Sequence, residues 1–361
     1  MTSVKIIGAG SIGNHLANAA RSKGWDVTLC DIDPAALERT QTSIYPSRYG
    51  EWDTAIRLST VADAPRGEFD WIFIGTPPDV HMMLALDALE ERPKGILIEK
   101  PLATPDLAHC QSVFERCGEL GVRAFVGYDH VVSQSAERFC ALARAVDDVK
   151  TLDVSFREHW QGIFNAHPWL SGPADTYLGY WARGGGACGE HSHALNLWQN
   201  FSHVIGAGRV SKVSAMMDYV ENGDAKYDQL ALLNLETESG LVGRVVQDVV
   251  TQPALKWARL QGGDTAIEWQ CNAAPYLDVV RVEGAVPSED VFDKTRPLDF
   301  IQELDHLEAA VASGEPSPID LARGLDSMLV IAAAHMSAQR SCNVAINYNA
   351  GYCSDALHPV Q

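Results

Sequence analysis

The sequence predicts an α/β protein with two parts, an N-terminal doubly wound parallel sheet and an α/β domain with an open, mainly antiparallel (mixed) sheet. Strand and helix patterns alternate up to about residue 126, which is typical of parallel strands joined by helices. Beyond that point, several strand patterns follow one another without helices between them. The length of 361 residues is enough for about two domains. We therefore predict domains at residues 1–126 and 127–361.

The N-terminal domain begins with an apolar strand at 4–7, a glycine-rich turn, and a helix whose apolar residues recur at helical spacing. A second strand at 26–30 ends at Asp31, and Asp33-Pro34 begins another helix because proline suits a first helical turn. The remaining predicted elements are strands at 71–74, 95–98 and 123–126, with helices near 79–90 and 104–120.

The second domain begins with a helix predicted at 135–145, followed by strands whose side chains alternate with a period of two. These strands are predicted near 152–156, 213–219, 227–237, 242–250, 256–261 and 265–270. Two helices, near 300–312 and 318–338, complete the chain. The order of these elements indicates a mixed or antiparallel sheet.

Composition excludes several classes of function. The chain has 28 basic and 47 acidic residues, a net charge of -19, so its mean surface potential repels nucleic acids and anionic membranes. It carries no apolar run long enough to span a membrane and no pattern typical of a secretory signal. The eight cysteines include no C-x-x-C pair. We therefore expect a cytoplasmic protein whose cysteines are mostly buried thiols.

The segment Gly8-Ala9-Gly10-Ser11-Ile12-Gly13 follows a strand and opens a helix, which is the setting of a dinucleotide-binding turn. Gly8 permits the tight turn, Gly10 lets the backbone approach a pyrophosphate, and Gly13 allows close packing. The first amides of the helix, including those of Ser11 and Ile12, supply unpaired N–H groups and partial positive charge.

Asp31 lies 18 residues after Gly13, at the end of the second strand. A carboxylate there accepts hydrogen bonds from the adenosine ribose hydroxyls and repels a 2′-phosphate. The predicted cofactor is therefore NAD, with NADP disfavoured.

Four further segments follow the glycine-rich turn in order, and two of them lie where loops leave the carboxyl ends of strands. They are Gly75-Thr76-Pro77-Pro78-Asp79-Val80-His81, Glu99-Lys100-Pro101-Leu102-Ala103, Val126-Gly127-Tyr128-Asp129, and Gly184-Gly185-Gly186-Ala187-Cys188-Gly189-Glu190-His191-Ser192-His193. Together they resemble the Gfo/Idh/MocA family, the glucose-fructose oxidoreductase and inositol dehydrogenase group, over nearly the whole chain.

The resemblance implies a Rossmann domain that binds NAD, an active site between the two domains, and a homo-oligomer (dimer or tetramer) assembled through the C-terminal sheet. It also implies an oxidoreductase that transfers a hydride between nicotinamide and a secondary alcohol of a sugar, sugar acid or cyclitol. Thr76, Pro77, Glu99 and Lys100 are then expected at the cofactor. His81 is expected to brace the cofactor loop.

Hydride transfer from an alcohol needs a base for the hydroxyl proton and a donor that holds the same oxygen. Lys100 matches the lysine of the family's Glu-Lys-Pro motif and is the expected donor. His193 is the expected acid/base, oriented by Glu190 three residues earlier on the same helical face. Many relatives carry an aspartate four residues before the histidine instead, and His191 remains the rival because Gly189-Glu190-His191 also reads as Gly-x-His.

Aromatic residues between His159 and Arg183 are suited to stacking on a sugar ring, and cations there are suited to reading hydroxyls or a carboxylate. An equally weighted alternative is a small hydrophobic cluster that pins a long loop. The expected substrate-binding residues are Tyr128, Asp129, Arg157, Trp160, His167, Trp169, Arg183 and Asn196.

Three alternatives complete the sequence analysis. Cys188, His191 and His193, with His159 and His167, offer soft ligands for zinc, but one thiol without paired spacing does not favour it, and we expect no metal. A hydrolase of the same family, which oxidises a sugar transiently and returns the hydride, would consume no NAD. A non-catalytic regulatory protein that binds a dinucleotide could dispense with Lys100.

Overall fold

The computed structural model of the protein describes residues 1–165, 167 and 169–360. A parallel sheet forms first, with strand order β3-β2-β1-β4-β5-β6. Its strands are β1 (Ser3–Ile7), β2 (Asp26–Asp31), β3 (Arg57–Thr60), β4 (Trp71–Ile74), β5 (Gly95–Ile98) and β6 (Arg123–Val126). The predicted doubly wound sheet is confirmed, and the central strands are buried because helices cover both faces.

The helices of this part are α1 (Ser11–Ser22), α2 (Pro34–Arg39), α3 (Tyr45–Tyr49), α4 (His81–Glu90) and α5 (Cys110–Leu120). The helix predicted at 104–120 begins only at Cys110. Leu107 and His109 both have φ near +61°, a left-handed conformation that interrupts a right-handed helix before that point.

The strand order reverses between β1 and β4, which places the turn after β1 beside the loop after β4. Ligands of open parallel sheets bind in the crevice that such a reversal leaves at the carboxyl ends of the strands. The loop after β5, which carries Lys100, leaves the same edge because β5 pairs in parallel with β4. Three of the sequence motifs therefore meet at one edge of the sheet.

The second sheet has ten strands, ordered β14-β13-β12-β11-β7-β10-β9-β8-β15-β16. It is mixed and mostly antiparallel as predicted, with β7 and β10 paired in parallel. Its strands are β7 (Val149–Arg157), β8 (Val210–Asn222), β9 (Ala225–Thr237), β10 (Val242–Asp248), β11 (Leu255–Gly262), β12 (Thr265–Ala274), β13 (Leu277–Glu283), β14 (Ser288–Asp293), β15 (Asn343–Ile346) and β16 (Leu357–Val360).

The helices of the second part are α6 (Gln134–Ala143), α7 (Gln161–Asn165), α8 (Gly186–Glu190), α9 (His193–Val204), α10 (Arg296–Ser313) and α11 (Leu321–Arg340). Helices α9 and α11 pack on the sheet through strands β7 and β8 and are largely buried. Helix α10 packs instead on α1, so it joins the second part of the chain to the first.

Part of the second sheet faces solvent. Met216 and Leu232 lie opposite each other on β8 and β9, and their exposed fractions are 74% and 38%. An exposed apolar surface on a sheet is typical of a contact with another chain, and homo-oligomerisation through this sheet remains a prediction. Among the described residues, no helix combines the length and apolar character that crossing a bilayer demands.

Candidate active site

The glycine-rich turn after β1 packs tightly on one side and is open on the other. Gly8 has φ of +109°, and a Cβ on Gly13 would lie 1.9 Å from the Gly8 carbonyl oxygen. A Cβ on Gly10 would meet no atom within 4 Å. The first turn of α1 has no side-chain cap. An open backbone beside uncapped amides fits a dinucleotide pyrophosphate.

Asp31 stands at the end of β2 and faces this turn. Its Oδ2 accepts a hydrogen bond from the Ala9 amide at 2.8 Å, and its Oδ1 accepts one from the Asp33 amide at 3.0 Å. Each carboxylate oxygen can accept a second bond. Asp31 therefore fixes the turn and keeps acceptor capacity for a ribose hydroxyl.

The loops after β4 and β5 are tied together by His81. Its Nε2 donates to the Thr76 carbonyl oxygen at 2.7 Å, and its Nδ1 lies 3.3 Å from the Leu102 carbonyl oxygen. Burial lowers the pKa of His81, so the ring is neutral. Its role is structural, because it joins the two loops. Thr76 and Pro77 lie at the edge of the same crevice, and the Thr76 hydroxyl has no partner among the described residues.

Lys100 connects the two parts of the protein. Its Nζ donates to the Glu190 carbonyl oxygen at 2.9 Å and lies 3.2 Å from the Glu190 carboxylate. Lys100 follows β5, whereas Glu190 ends α8 in the second part. The residue before it, Glu99, is buried against Gly127, and burial raises the pKa of Glu99 to about 7.

The predicted pairing of Glu190 with His193 is wrong. Helix α8 ends at Glu190 and α9 begins at His193, so the two residues do not share a helical face. The chain turns at His191 and Ser192, which directs the Glu190 carboxylate to Lys100 instead.

His193 faces Asp129 and His130, which follow β6. Asp129 Oδ1 accepts a hydrogen bond from His130 Nδ1 at 2.8 Å and lies 3.6 Å from His193 Nδ1. The two imidazole rings are stacked with centroids 4.5 Å apart. Together these residues form what we call the Asp129 cluster (Asp129, His130 and His193), which also brings together donor atoms suited to a metal ion.

Burial and neighbouring charges together set the protonation states of the Asp129 cluster. It lowers the pKa of His193 well below its ordinary value, and His130 lowers that pKa further, while Asp129 opposes the change. Burial would raise the pKa of Asp129, but His130, His193 and Arg296 together hold it well below its usual range. At neutral pH the cluster is therefore a carboxylate beside two neutral imidazoles.

His191, the rival of His193, lies deeper. Its carbonyl oxygen accepts a hydrogen bond from Gln247 at 2.7 Å, and its side chain is 5% exposed. Burial lowers the pKa of His191 to about 4. Its Nε2 has no partner among the described residues, and the carboxylates of Glu190 and Glu158 oppose the effect of burial on its pKa. Both histidines are neutral, and His193 is favoured because the Asp129 carboxylate lies 3.6 Å from its Nδ1.

The triple glycine before α8 lets that helix sit on Asp228. Gly186 has φ of +76°, and a Cβ there would lie 1.9 Å from Asp228 Oδ1. Asp228 Oδ2 accepts a hydrogen bond from the Cys188 amide at 2.7 Å. The side chain is fully buried, and burial raises the pKa of Asp228 to about 7.

Among the predicted substrate-binding residues, the two arginines are paired with carboxylates, and the two tryptophans differ in exposure. Arg157 donates to Asp248 at 2.7 Å and Arg183 to Asp79 at 2.8 Å, so both charges are already paired. Trp160 is buried in a small hydrophobic cluster, the alternative that the sequence left open. Trp169 is 42% exposed.

Three other predicted substrate residues, His167, Tyr128 and Asn196, are partly or fully buried. His167 donates to the Ile163 carbonyl oxygen at 2.6 Å and packs edge-on against Trp169. Tyr128 is fully buried with its ring edge-on to His193. Asn196 is also buried, and its Oδ1 has no partner among the described residues.

Sequence reasoning missed His130, Arg296 and Asp228. His130 follows Asp129 directly at the carboxyl end of β6, a position that could have drawn attention to it. Arg296 begins α10 and lies 3.9 Å from Asp129 Oδ2. The sequence carries no signal for the contact between Arg296 and Asp129, because Arg296 lies 167 residues after Asp129.

We predict that Asp228→Asn flattens the pH dependence of stability. The folded protein holds a proton on Asp228 between about pH 4 and 7, where the unfolded chain has lost it, so the free energy of unfolding falls as pH rises through that window. The amide keeps an acceptor for Cys188 and should stabilise the protein above pH 7 by roughly 1–2 kcal/mol. Urea unfolding at pH 5 and pH 8 measures this.

Asp264→Asn, in an exposed turn, is the control and should leave the pH dependence unchanged. A difference between wild type and Asp228→Asn that is the same at both pH values would contradict the prediction.

Comparison with known proteins agrees with this architecture. Residues 2–128 match the family model GFO_IDH_MocA, described as an oxidoreductase family with an NAD-binding Rossmann fold. No curated protein matches the chain.

Several solved structures share the whole fold. Levoglucosan dehydrogenase in complex with NADH is 15% identical with a TM-score of 0.75, covering 96% of this chain and 99% of that chain. Aldose-aldose oxidoreductase from Caulobacter crescentus, complexed with glycerol, is 18% identical with a TM-score of 0.72 and the same coverage of 96% and 99%. The WlbA dehydrogenase from Bordetella pertussis, in complex with NADH and UDP-GlcNAcA, is 19% identical with a TM-score of 0.71 and again covers 96% and 99%.

These identities show a common fold, and the family match is specific to the first sheet and its loops. Residues 2–128 therefore match a family of oxidoreductases with an NAD-binding Rossmann fold, and the chain has, along its length, the fold of these three proteins.

Proposed function

We propose that the protein is an NAD-dependent dehydrogenase or reductase that transfers a hydride between nicotinamide and a secondary alcohol of a sugar, sugar acid or cyclitol. The observation that carries the proposal is the contact of Lys100 with Glu190, three residues before His193. It brings a lysine from the NAD-binding domain and an imidazole from the second part to one cleft. The dehydrogenases and the aldose oxidoreductase among the structural neighbours support a sugar or a related alcohol as substrate.

The glycine-rich turn, the first amides of α1 and Asp31 would hold the dinucleotide. The open space at Gly10 and the acceptor capacity of Asp31 fit its pyrophosphate and ribose. NAD supplies, when bound, a nicotinamide ring that accepts or returns a hydride.

Lys100 and His193 have different roles at the substrate hydroxyl group, because one binds its oxygen and the other exchanges its proton. The Lys100 ammonium group has three donors, of which Glu190 occupies part, and can hold the carbinol oxygen as it becomes a carbonyl. His193 is neutral and can accept the hydroxyl proton during oxidation or return it during reduction. Its Nδ1 is buried towards Asp129, so Nε2 is the nitrogen left to meet a substrate.

In this proposal Asp129 has the role that the sequence analysis predicted for Glu190. Its carboxylate lies 3.6 Å from His193 Nδ1, close enough to stabilise the imidazolium that forms when the proton arrives. His130 holds the same carboxylate in place at 2.8 Å. Asp129 is thus a positioning residue in this proposal rather than a contact of the substrate.

We predict that Lys100→Ala lowers kcat for alcohol oxidation at least about a thousandfold, because the developing carbonyl oxygen loses its donor. The affinity for NAD should change little. A panel of sugars, sugar acids and cyclitols with NAD, followed by NADH absorbance, measures turnover, and dye-monitored binding measures NAD affinity. Lys94→Ala, on an exposed lysine with 64% of its side chain accessible, is the control.

A dehydrogenase accumulates NADH in proportion to product, whereas a hydrolase that returns the hydride does not. Substrate consumption without NADH accumulation would therefore assign the hydrolase activity. Full activity of Lys100→Ala would overturn the catalytic assignment.

We predict that the acid limb of kcat/KM for oxidation lies below pH 6.5, because burial lowers the pKa of His193 and the base is lost only when it is protonated. Asp129→Asn removes the charge that raises this pKa, so it should move the acid limb to lower pH and reduce kcat about tenfold to a hundredfold. The KM for substrate should change little. pH–rate profiles of both proteins test this, and an unshifted limb in Asp129→Asn would favour His191 as the base.

We predict that Asp31→Asn reduces the preference for NAD over NADP roughly tenfold to a hundredfold, because the amide still accepts from Ala9 but no longer repels a 2′-phosphate. Ratios of kcat/KM with the two cofactors measure the effect. Asp33→Asn, whose side chain caps α2 through the Ala35 amide, is the control. An unchanged ratio in Asp31→Asn would remove this residue from cofactor selection.

A further inference from the structure

Arg296, the first residue of α10, lines the cleft beside the Asp129 cluster. Its side chain is 52% exposed, so its guanidinium is accessible to a ligand. Its Nη1 lies 3.9 Å from Asp129 Oδ2, while Asp129 Oδ1 faces His193. The guanidinium and the proposed base therefore contact the two oxygens of one carboxylate.

Two aromatic contacts fix where Arg296 lies. Its guanidinium lies over the Phe300 ring at 5.1 Å, and Phe300 stacks on His15 of α1 with centroids 5.0 Å apart. Helix α1 begins at the glycine-rich turn. Arg296 thus faces the region where the dinucleotide site, the Asp129 cluster and Lys100 converge.

The hydrogen-bonding capacity of Arg296 is unmet. A guanidinium has five N–H donors, and those of Arg296 make no hydrogen bond to any residue that the structure describes. Three other arginines of the region already donate hydrogen bonds to protein acceptors. Arg157 and Arg183 are held by carboxylates, and Arg48 donates to the Ser11 carbonyl and hydroxyl oxygens at 2.8 and 2.7 Å.

The acids around Arg296 do not satisfy it either. Asp299 pairs with Lys294 at 2.6 Å, and Glu190 pairs with Lys100. Burial raises the pKa of Glu303 well above its ordinary value, and neither of its carboxyl oxygens has a partner among the described residues. Asp129 is ionised but is shared with two histidines. A planar fork of donors therefore remains open towards the cleft.

We propose that Arg296 binds a carboxylate of the substrate, which makes the substrate a sugar acid rather than a neutral sugar or a cyclitol. A carboxylate matches the guanidinium fork in geometry and charge, and it would lie a short sugar chain away from the carbinol held at Lys100 and His193. This inference rests on the proposed dehydrogenase function and specifies its substrate class. This proposal assigns carboxylate binding to Arg296, whereas the sequence analysis suggested Arg157, His167 and Arg183 for binding hydroxyls or a carboxylate.

The test compares acids with their neutral counterparts. The probes are D-glucuronate with D-glucose, D-galacturonate with D-galactose, and D-gluconate with D-glucitol, each assayed with NAD. Wild type should prefer at least one acid by roughly tenfold to a hundredfold in kcat/KM, the range of a charge-assisted bidentate contact. Arg296→Gln should reduce that preference to about threefold or less, because kcat/KM falls more for the acids than for their neutral counterparts, and Arg296→Lys should fall between them.

Arg138→Gln is the matched control, because Arg138 on α6 forms a partly exposed ion pair with Asp290 on β14. It should leave the acid preference unchanged. The acid preference must be absent from wild type, or persist in Arg296→Gln, for the inference to be overturned. A weaker affinity for NAD in Arg296→Gln with an unchanged acid preference would also overturn it, since Arg296 would then serve the cofactor.

A binding measurement separates this inference from the proposed function. Isothermal titration of the NAD-loaded protein with the same acids needs no turnover. Binding of an acid that depends on Arg296, without NADH formation from any probe, would support the carboxylate site and refute the dehydrogenase. Turnover of neutral sugars that requires Lys100, without Arg296-dependent binding of any acid, would refute the carboxylate site and leave the dehydrogenase standing.

Discussion

The contact between Lys100 and Glu190 is the interaction on which the site depends. Lys100 reaches from the carboxyl edge of the first sheet and is held by both the carbonyl oxygen and the carboxylate of Glu190. An ammonium group with two acceptors at a domain junction fixes the distance between the parts that carry it. Among the described residues, no other hydrogen bond or ion pair joins the loop after β5 to α8.

Around this contact, the cleft separates groups that stay charged from groups that burial neutralises. Lys100, Lys256 and Lys294 each have a carboxylate partner, at Glu190, Glu158 and Asp299 respectively. Glu99 and Glu303 are buried acids whose pKa values are raised by burial. Asp129 and Arg296 remain as the charged pair with the loosest mutual contact.

Several parts of this molecule could be predicted from the sequence because short-range physics decides them. Apolar runs between polar turns gave strands at 71–74, 95–98 and 123–126, and the structure has these same bounds. The predicted helix start at 104 failed because two residues adopt positive φ before Cys110, which no periodic pattern reveals. The aromatic segment admitted two interpretations, and for Trp160 the structure selects packing in a small cluster.

The sequence by itself determined the order of strands and helices and the dinucleotide turn, because these depend on spacing along the chain. The two residues proposed for catalysis came from motifs that resemble the family's, and their roles remain predictions. Tertiary structure alone decided which acid faces which base. Glu190 contacts Lys100 because α8 ends at Glu190, and Asp129, which follows β6, lies beside His193. Arg296, the first residue of α10, lies near the same Asp129 carboxylate. Electrostatic partners act through space over a few ångströms, and only folding brings residues from distant chain positions within that range.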